Sequence, residues 1–242
     1  MEAIVTRGLT RRFGTKTAVD GLDLTVKEGE LLALLGVNGA GKTTTVKMLS
    51  TLLAPTSGDA VLLGSSIVTD AQRVKPFLAV SPQETAVAMN LTVRENLALM
   101  AGIYGADKKA AEAAADAAIR EFSLSEYENT RAGRLSGGWQ RRLSIAMALI
   151  SKPKILFLDE TTLGLDVLAR RELWDVIRRL KGQVTMILTT HYLEEAESLS
   201  DRVAVMAGGR LRALGTPEAL KALAGTESFE DAFIRLAKEA AV

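Results

Sequence analysis

The sequence predicts an α/β fold with a parallel sheet, and three segments in the second half of the chain support that prediction. Residues 154–158 and 184–188 are short, mostly apolar runs typical of strands covered on both faces. Between them, residues 170–181 carry four apolar side chains at the spacing of an amphipathic helix. A strand, a helix and a strand in this order favour parallel pairing of the two strands.

The N-terminal thirty residues are predicted to form short strands. Residues 4–6 and the alternating apolar residues between Leu22 and Val26 indicate half-buried β structure, and Gly14 and Gly29 are turn signals. Residues 31–35 form a continuous apolar run, which is typical of a buried strand. This strand leads directly into a glycine-rich segment.

Helices are predicted in three further places. Residues 45–53 are expected to form a helix that ends before Pro55. The alanine-rich residues 107–122 have high helix propensity, and residues 143–150 indicate a buried helix. The whole stretch from about 91 to 150 is therefore predicted to be mainly helical.

Composition excludes several classes of site. The 30 basic and 29 acidic side chains give a net charge of +1, so no basic excess indicates nucleic-acid binding. The absence of cysteine excludes disulfides and thiolate zinc sites, and one histidine cannot build a multi-imidazole metal centre. The N-terminus lacks the pattern of a secretory signal, and no run of about 18 apolar residues occurs. We therefore expect a cytoplasmic protein whose membrane partner, if any, is another chain.

The glycine-rich segment fits the phosphate-binding pattern G-x-x-x-x-G-K-[ST] in full, from Gly36 to Thr43. Such glycines let backbone N–H groups turn toward phosphates, and the following helix adds its positive end. Lys42 is predicted to reach the β- and γ-phosphates, and the Thr43 hydroxyl is predicted to ligate Mg²⁺. The residues predicted to bind the nucleotide here are Gly36, Asn38, Gly39, Ala40, Gly41, Lys42, Thr43 and Thr44.

Two adjacent carboxylates, Asp159 and Glu160, follow the predicted strand 154–158. Ligands of α/β sheets bind at the carboxyl ends of the strands. Asp159 is predicted to hold Mg²⁺, directly or through water, and Glu160 to act as general base on the attacking water. Taken alone, the pair also fits a strand that simply ends in solvated acids.

The segment Leu135–Arg142, which reads LSGGWQRR, resembles the LSGGQ signature of ABC (ATP-binding cassette) ATPases. Backbone N–H groups at Gly137 and Gly138, together with Ser136, suit a γ-phosphate at a helix N-terminus. The resemblance implies that this phosphate belongs to ATP held by a second subunit, so that two subunits enclose two nucleotides head to tail.

Four further residues match positions of the same family. Gln83 resembles the glutamine that contacts Mg²⁺ and senses the permease, and Asp166 resembles the aspartate of the loop that runs between subunits. His191 resembles the switch histidine on the γ-phosphate, which makes it a predicted catalytic residue beside Lys42 and Glu160. The resemblance also implies that an aromatic residue, here Phe13, stacks on adenine.

The resemblance implies a single domain over residues 1–242 with a P-loop NTPase core and its parallel sheet. An N-terminal antiparallel β subdomain is expected, with an inserted helical subdomain at about 88–150 and a short helical tail at about 217–242. The sequence departs from the family pattern at Trp139, where many members have Gln, and at Thr161, where proline is usual. Neither departure removes a group that the chemistry needs.

The function implied is ATP hydrolysis, with ATP and Mg²⁺ as cofactors, at the cytoplasmic side of the cell membrane. Expected partners are an integral membrane permease and a second ABC ATPase subunit, with a homodimer favoured over a heterodimer, and no nucleic acid. Residues 91–96, 103–105 and 228–233 resemble the drug-resistance (ABC-2) exporter group, which favours export. The alternatives are an importer ATPase, a soluble ABC ATPase acting on nucleic acid, and a non-catalytic cassette.

Overall fold

The computed structural model describes residues 1–238, which form two sheets and a set of helices. The strands are β1 Glu2–Phe13, β2 Lys16–Lys27, β3 Leu31–Leu35, β4 Ser57–Leu62, β5 Ser65–Ser66, β6 Leu78–Ser81, β7 Ile155–Asp159, β8 Thr185–Thr190, β9 Arg202–Ala207 and β10 Arg210–Gly215. The α-helices are α1 Lys42–Leu49, α2 Ala71–Val74, α3 Val93–Ile103, α4 Lys108–Glu121, α5 Gly137–Leu149, α6 Val167–Leu180, α7 Leu193–Leu199, α8 Pro217–Ala224 and α9 Phe229–Lys238.

The larger sheet has six strands in the order β10-β9-β3-β8-β7-β6. Strands β9, β3, β8, β7 and β6 pair in parallel, and β10 pairs antiparallel with β9 at one edge. The predicted parallel pairing is confirmed, since Ile155 of β7 lies opposite Thr185 of β8. Every residue of β3, β7 and β8 is buried, which explains their continuous apolar runs.

The two faces of this sheet pack against different layers. On β7, Ile155 and Phe157 pack in a cluster with the smaller sheet and α1, whereas Leu156 and Leu158 pack in a cluster with α3 to α6. Alternate residues of a strand point to opposite faces, so one strand contributes to both clusters. The sheet is therefore fixed from both sides at the strands that carry the predicted site.

Three predicted motifs meet at the carboxyl edge of the larger sheet. Leu35, the last residue of β3, lies opposite Thr190 of β8, and Asp159 at the end of β7 lies opposite Thr189. The phosphate-loop segment, the acidic pair and His191 therefore follow neighbouring parallel strands at one end. This is the position where α/β sheets bind ligands.

The smaller sheet is antiparallel, in the order β2-β1-β4-β5. Its first two strands are 12 residues each, longer than the short strands that the sequence predicts. Their pairing shifts register at four places between Glu2 and Arg12. Because each shift interrupts the alternation of apolar and polar residues, the sequence pattern shows only fragments of each strand. The turn predicted at Gly14 is confirmed, with φ 56°.

Helix α1 differs from its prediction at both ends. The predicted helix covers residues 45–53, but the observed helix begins at Lys42 and ends at Leu49. Gly41 precedes it with φ 103°, so the helix starts directly from the glycine loop. Thr51 has φ 62°, a left-handed conformation that the helix cannot include. The helix therefore ends well before Pro55, the residue from which the prediction was made.

Helices α3, α4 and α5 occupy the segment predicted as the helical subdomain, whose boundaries at about 88 and 150 stay a prediction. Helix α3 begins with a capping box in which Thr92 and Glu95 bind each other's backbone N–H groups. Arg94 joins this helix to its surroundings through ion pairs to Asp116 at 2.5 Å and Glu128 at 2.7 Å. These links make the helices one packed unit.

Helices α8 and α9 lie in the segment predicted as the C-terminal tail, of which residues 239–242 fall outside the described part. The two helices pack on each other and α9 packs on β9, with Phe229 and Leu236 buried beside Ala33 and Leu35 of β3. Between residues 1 and 238, no helix is both long enough and apolar enough to cross a membrane.

Candidate nucleotide site

An open cavity of about 590 Å³ lies at the carboxyl edge of the larger sheet. It collects residues that are far apart in the sequence, from the N-terminal sheet, the phosphate loop, the acidic pair and the end of β8. The predicted site residues that line it are Phe13, Asn38, Gly39, Ala40, Gly41, Lys42, Thr43, Thr44, Gln83, Glu160 and His191.

The phosphate loop requires glycine at two positions for steric reasons. A Cβ atom at Gly36 would lie 2.5 Å from the carbonyl oxygen of Met206, and one at Gly41 would lie 2.6 Å from that of Ala18. Gly39 has open space around it, but its backbone φ is 83°. Glycine is favoured there because other residues rarely adopt this left-handed conformation. The loop then delivers the unpaired N–H groups of the first turn of α1 to the cavity.

Lys42, Glu160 and His191 form a chain of charged or titratable groups across the cavity floor. The Lys42 ammonium donates to the Gly36 carbonyl at 2.8 Å and lies 3.4 Å from Glu160 Oε1. The other oxygen of Glu160 lies 3.6 Å from His191 Nδ1. Lys42 and Glu160 are both buried, whereas His191 is partly open to solvent. Glu160 thus lies within reach of both other predicted catalytic residues.

The backbone at Glu160 has φ 47°, a left-handed conformation that is uncommon for a residue with a side chain. Such a conformation costs roughly 1–3 kcal/mol and persists only where neighbouring contacts hold it. Here the Glu160 N–H donates to both the carbonyl and the hydroxyl oxygen of Thr189, at 3.1 and 3.0 Å. The next two residues, Thr161 and Thr162, are fully buried. This turn separates Glu160 from Asp159, so the adjacent carboxylates have different neighbours.

Asp159 lies beside Thr43, as the predicted metal site requires. The Thr43 hydroxyl donates to Asp159 Oδ1 at 3.1 Å, and the Thr189 hydroxyl donates to the same oxygen at 2.5 Å. A hydroxyl and a carboxylate oxygen are ligands that Mg²⁺ accepts, and Gln83 adds an amide oxygen at the cavity wall. Residues 1–238 contain no group of three acidic, histidine or cysteine side chains that could hold a metal ion.

Phe13 and Gln83 lie at the rim of the cavity. The Phe13 ring is 47% exposed, and the guanidinium of Arg11 lies over it at 4.6 Å from the ring centroid. Gln83 is exposed and follows Pro82, whose carbonyl accepts a hydrogen bond from Arg141 of α5 at 3.0 Å. This bond connects the loop that carries Gln83 to the helix that begins at the LSGGWQ segment.

The residues of the LSGGWQ segment do not line this cavity. Ser136 precedes α5, its side chain makes no cap hydrogen bond, and both Ser136 and Gly137 are exposed. Gly138 packs on α6, where a Cβ atom would lie 2.9 Å from that of Ala169. Asp166 is also outside the cavity lining, and its carboxylate caps α6 by accepting from Ala169 N at 2.9 Å. One chain therefore leaves these four predicted nucleotide ligands apart from the phosphate loop.

A family model described as "ABC transporter" matches residues 19–163, which are more than half of the chain. The chain belongs to the ABC transporter family. This confirms the resemblance inferred from the LSGGWQ segment, and with it the predicted ABC ATPase domain.

Two relatives and one solved structure describe the ABC match in more detail. The daunorubicin resistance ATP-binding protein DrrA3 of Streptomyces coeruleorubidus is 42% identical over 94% of this chain and 72% of its own length. The Nod factor export ATP-binding protein I of Burkholderia lata is 42% identical over 88% of this chain and 71% of its own length. A structure described as the ATP binding subunit of an ABC transporter, 27% identical, covers 98% of this chain and 100% of its own, with a TM-score of 0.85. Several relatives are much longer proteins, of which this chain spans 4% to 22%.

These matches confirm the predicted fold class and the resemblance to the drug-resistance type of ABC protein. They also confirm ATP binding as a property of the family. The roles assigned to single residues, the magnesium ligands and the boundaries of the subdomains stay predictions.

Sequence reasoning missed several residues of this ABC site. Lys16 and Ala18 of β2 and Leu163 after β7 also line the cavity. Thr189 binds both Asp159 and the backbone of Glu160, which no motif indicated. The only available signal for Thr189 was its place two residues before His191, at the end of a strand predicted to lie beside Asp159.

Proposed function

We propose that this chain hydrolyses ATP with Mg²⁺ and thereby drives export through a separate membrane permease, at the cytoplasmic side of the membrane. The observation that carries the proposal is the contact of Lys42, Glu160 and His191 around one cavity that also contains the phosphate loop. A phosphate-binding cation, a carboxylate and an imidazole are the groups that γ-phosphate hydrolysis needs.

The residues at the cavity have different roles in the proposed hydrolysis of ATP. The loop N–H groups and Lys42 hold the triphosphate and neutralise its charge. Glu160 orients a water molecule and accepts its proton as the water oxygen attacks the γ-phosphorus in line. His191 binds the γ-phosphate and helps to fix Glu160. Thr43, Asp159 and Gln83 would hold Mg²⁺, which would supply positive charge to neutralise the leaving diphosphate.

The exposed LSGGWQ segment supports a second subunit in the working unit. Ser136 and Gly137 face solvent, and the Ser136 side chain makes no cap hydrogen bond, so the first N–H groups of α5 suit an anion such as a γ-phosphate. A second copy, arranged head to tail, places this segment over the phosphate loop of the first. We propose a homodimer, because each chain carries both halves of the composite site.

Export is supported by the relatives, which include proteins named for daunorubicin resistance and for Nod factor export. They share more than 40% identity with this chain over most of its length. The transported substrate is set by the permease, so co-purification of the membrane chain from its natural host is the direct way to identify it.

Lys42→Ala is expected to abolish productive ATP binding, because it removes the cation at the phosphate loop. The measurement is ATP affinity and Mg²⁺-dependent turnover of the purified protein. Lys47→Ala is a matched control, since Lys47 is an exposed lysine of the same helix. Normal affinity and turnover in Lys42→Ala would contradict the phosphate-site assignment.

Glu160→Gln is expected to bind ATP and to hydrolyse it at least about a hundred times more slowly, since the amide cannot accept a proton from water. Single-turnover hydrolysis of radiolabelled ATP measures the chemical step without product release. Glu112→Gln, an exposed change on α4, is the control. Wild-type rates in Glu160→Gln would mean that another group is the base.

A further inference from the structure

Glu195 is a fully buried carboxylate that lies outside the nucleotide cavity. It is the third residue of α7, four positions after His191, and it is 0% exposed. Its two oxygens have different partners. The Trp174 indole N–H donates to Oε1 at 3.0 Å, and the Thr162 hydroxyl donates to Oε2 at 3.0 Å. One side chain therefore joins α7, α6 and the loop after β7.

Thr162 and Glu195 follow closely in sequence after the predicted catalytic residues Glu160 and His191. Thr162 follows Glu160 by two residues, and Glu195 follows His191 by four. Glu160 and His191 approach each other to 3.6 Å at the cavity. The two segments are thus joined twice, once at the cavity and once in the core through Thr162 and Glu195.

The turn at Glu160 needs such a support. Its left-handed backbone persists only if surrounding contacts hold it. The Glu160 N–H bonds to Thr189, and the Leu163 N–H donates to the Glu160 carbonyl at 3.1 Å within the turn. The Thr162 hydroxyl adds a side-chain bond that ties the turn to Glu195 of α7. A buried carboxylate is costly unless each oxygen is hydrogen-bonded, and here both are. An apolar side chain at this place would fill the core but would leave the Thr162 hydroxyl and the Trp174 N–H without this acceptor.

We propose that Glu195 is a positioning residue for hydrolysis, which holds Glu160 in register with His191 through the Thr162 hydroxyl. The proposal rests on the proposed function, because it concerns the geometry of the same reaction. Glu195 itself is buried and does not line the cavity. A small displacement of a general base lowers the rate of the chemical step while leaving substrate binding intact.

Thr162→Val tests the link, because it removes the hydroxyl and keeps the shape of the side chain. Its kcat is expected to fall about tenfold, with the KM for ATP changed by less than about twofold. Thr6→Val is the matched control, since Thr6 is also buried and donates to the Leu22 carbonyl at 2.7 Å, in the N-terminal sheet. A merely structural role predicts instead that both variants lose thermal stability and neither changes kcat.

Glu195→Gln tests the carboxylate without breaking the geometry. The glutamine oxygen can accept from Trp174 Nε1, and its NH₂ group can donate to the Thr162 hydroxyl oxygen, which accepts as well as donates. This variant is expected to keep kcat within about twofold of wild type. Glu195→Ala is expected to match or exceed the loss in Thr162→Val, and if it fails to fold, the other two variants still decide.

Hydrogen exchange of the nucleotide-free proteins gives a readout independent of turnover. Backbone amides of residues 160–166 and 191–195 are expected to exchange faster in Thr162→Val but not in Thr6→Val or Glu195→Gln. Unchanged exchange together with unchanged kcat in Thr162→Val overturns the positioning role, as does an equal loss in Glu195→Gln. If the wild type hydrolyses no ATP yet exchange responds as expected, the proposed function fails and the link between the two segments stands.

Discussion

The environment of Glu195 shifts its titration. Burial raises the pKa of Glu195 above its ordinary value of 4.5, and the hydrogen bonds from Thr190, Thr162 and Trp174 and the charge of Arg170 oppose this only in part. The folded state therefore binds the proton more tightly than the unfolded state. As pH rises from the unfolded pKa through the raised folded pKa, this group's contribution to stability falls.

Glu195→Gln removes this titration, so its effect on stability is expected to depend on pH. At the acid end of the range, where the wild-type carboxyl is mostly protonated in both states, the Tm of the variant minus that of wild type has its lowest value. The difference then shifts in favour of the variant as pH rises and levels off above the folded pKa. Thermal unfolding of both proteins between pH 4 and pH 8 checks this. A difference that stays constant across that range would mean that the folded and unfolded pKa values are equal.

Among the helices, the contact between α5 and α6 controls where the LSGGWQ segment lies. Gly138 sits at this contact, and a Cβ atom there would lie 2.9 Å from that of Ala169. Neither atom can rotate away, since both are fixed to a helix backbone. The contact between Gly138 and Ala169 therefore fixes the spacing between the start of α5 and the start of α6. Asp166 caps α6 at this end.

Gly138→Ala is expected to lower the free energy of unfolding by about 1–3 kcal/mol, because the helices must separate. ATPase activity is expected to fall further than stability alone explains, while ATP binding to the single chain is unchanged, since Gly138 lies outside the cavity. Denaturant titration and nucleotide titration measure the two effects. Gly102→Ala is the control: a Cβ at Gly102 of α3 meets nothing within 4 Å, and alanine there stabilises the helix by about 0.5–1 kcal/mol. Equal behaviour of the two variants would contradict the packing argument.

At the level of elements, strand predictions were confirmed where local sequence determines structure. The apolar runs of β3, β7 and β8 gave the parallel strands, because full burial leaves a continuous pattern. The lengths of β1 and β2 could not be predicted, since register shifts interrupt their alternation. The contribution of Lys16 and Ala18 to the cavity depends on how the two sheets pack, and local sequence does not encode that contact.

At the scale of the whole molecule, the proposed homodimer predicts how two copies complete each other. Each chain has a phosphate loop that lines its cavity and an exposed LSGGWQ segment that does not line it. A head-to-tail dimer has two sites, each of which takes the loop from one copy and the segment from the other. A loop defect in one chain and a segment defect in the other then fall on the same site, and the second site of that dimer stays intact.

Mixing two inactive variants tests this arrangement. Lys42→Ala and Ser136→Arg are each expected to be nearly inactive alone, because every site in either dimer lacks one half. In an equimolar mixture, half of the dimers contain one chain of each kind and have one intact site, so activity of about a quarter of wild type is expected for independent sites. Turnover measured across a range of protein concentrations checks this. A mixture as inactive as its components would contradict sites shared between copies.

The ion pair between Lys42 and Glu160 has a consequence for nucleotide binding, because the proposed mechanism uses both side chains. The lysine ammonium lies 2.8 Å from the Gly36 carbonyl oxygen and 3.4 Å from the Glu160 carboxylate. In the proposed mechanism a γ-phosphate competes with this carboxylate for the ammonium, and its binding frees Glu160 to act on water. The proposal therefore predicts that a ligand too short to reach the ammonium leaves the ion pair between Lys42 and Glu160 in place.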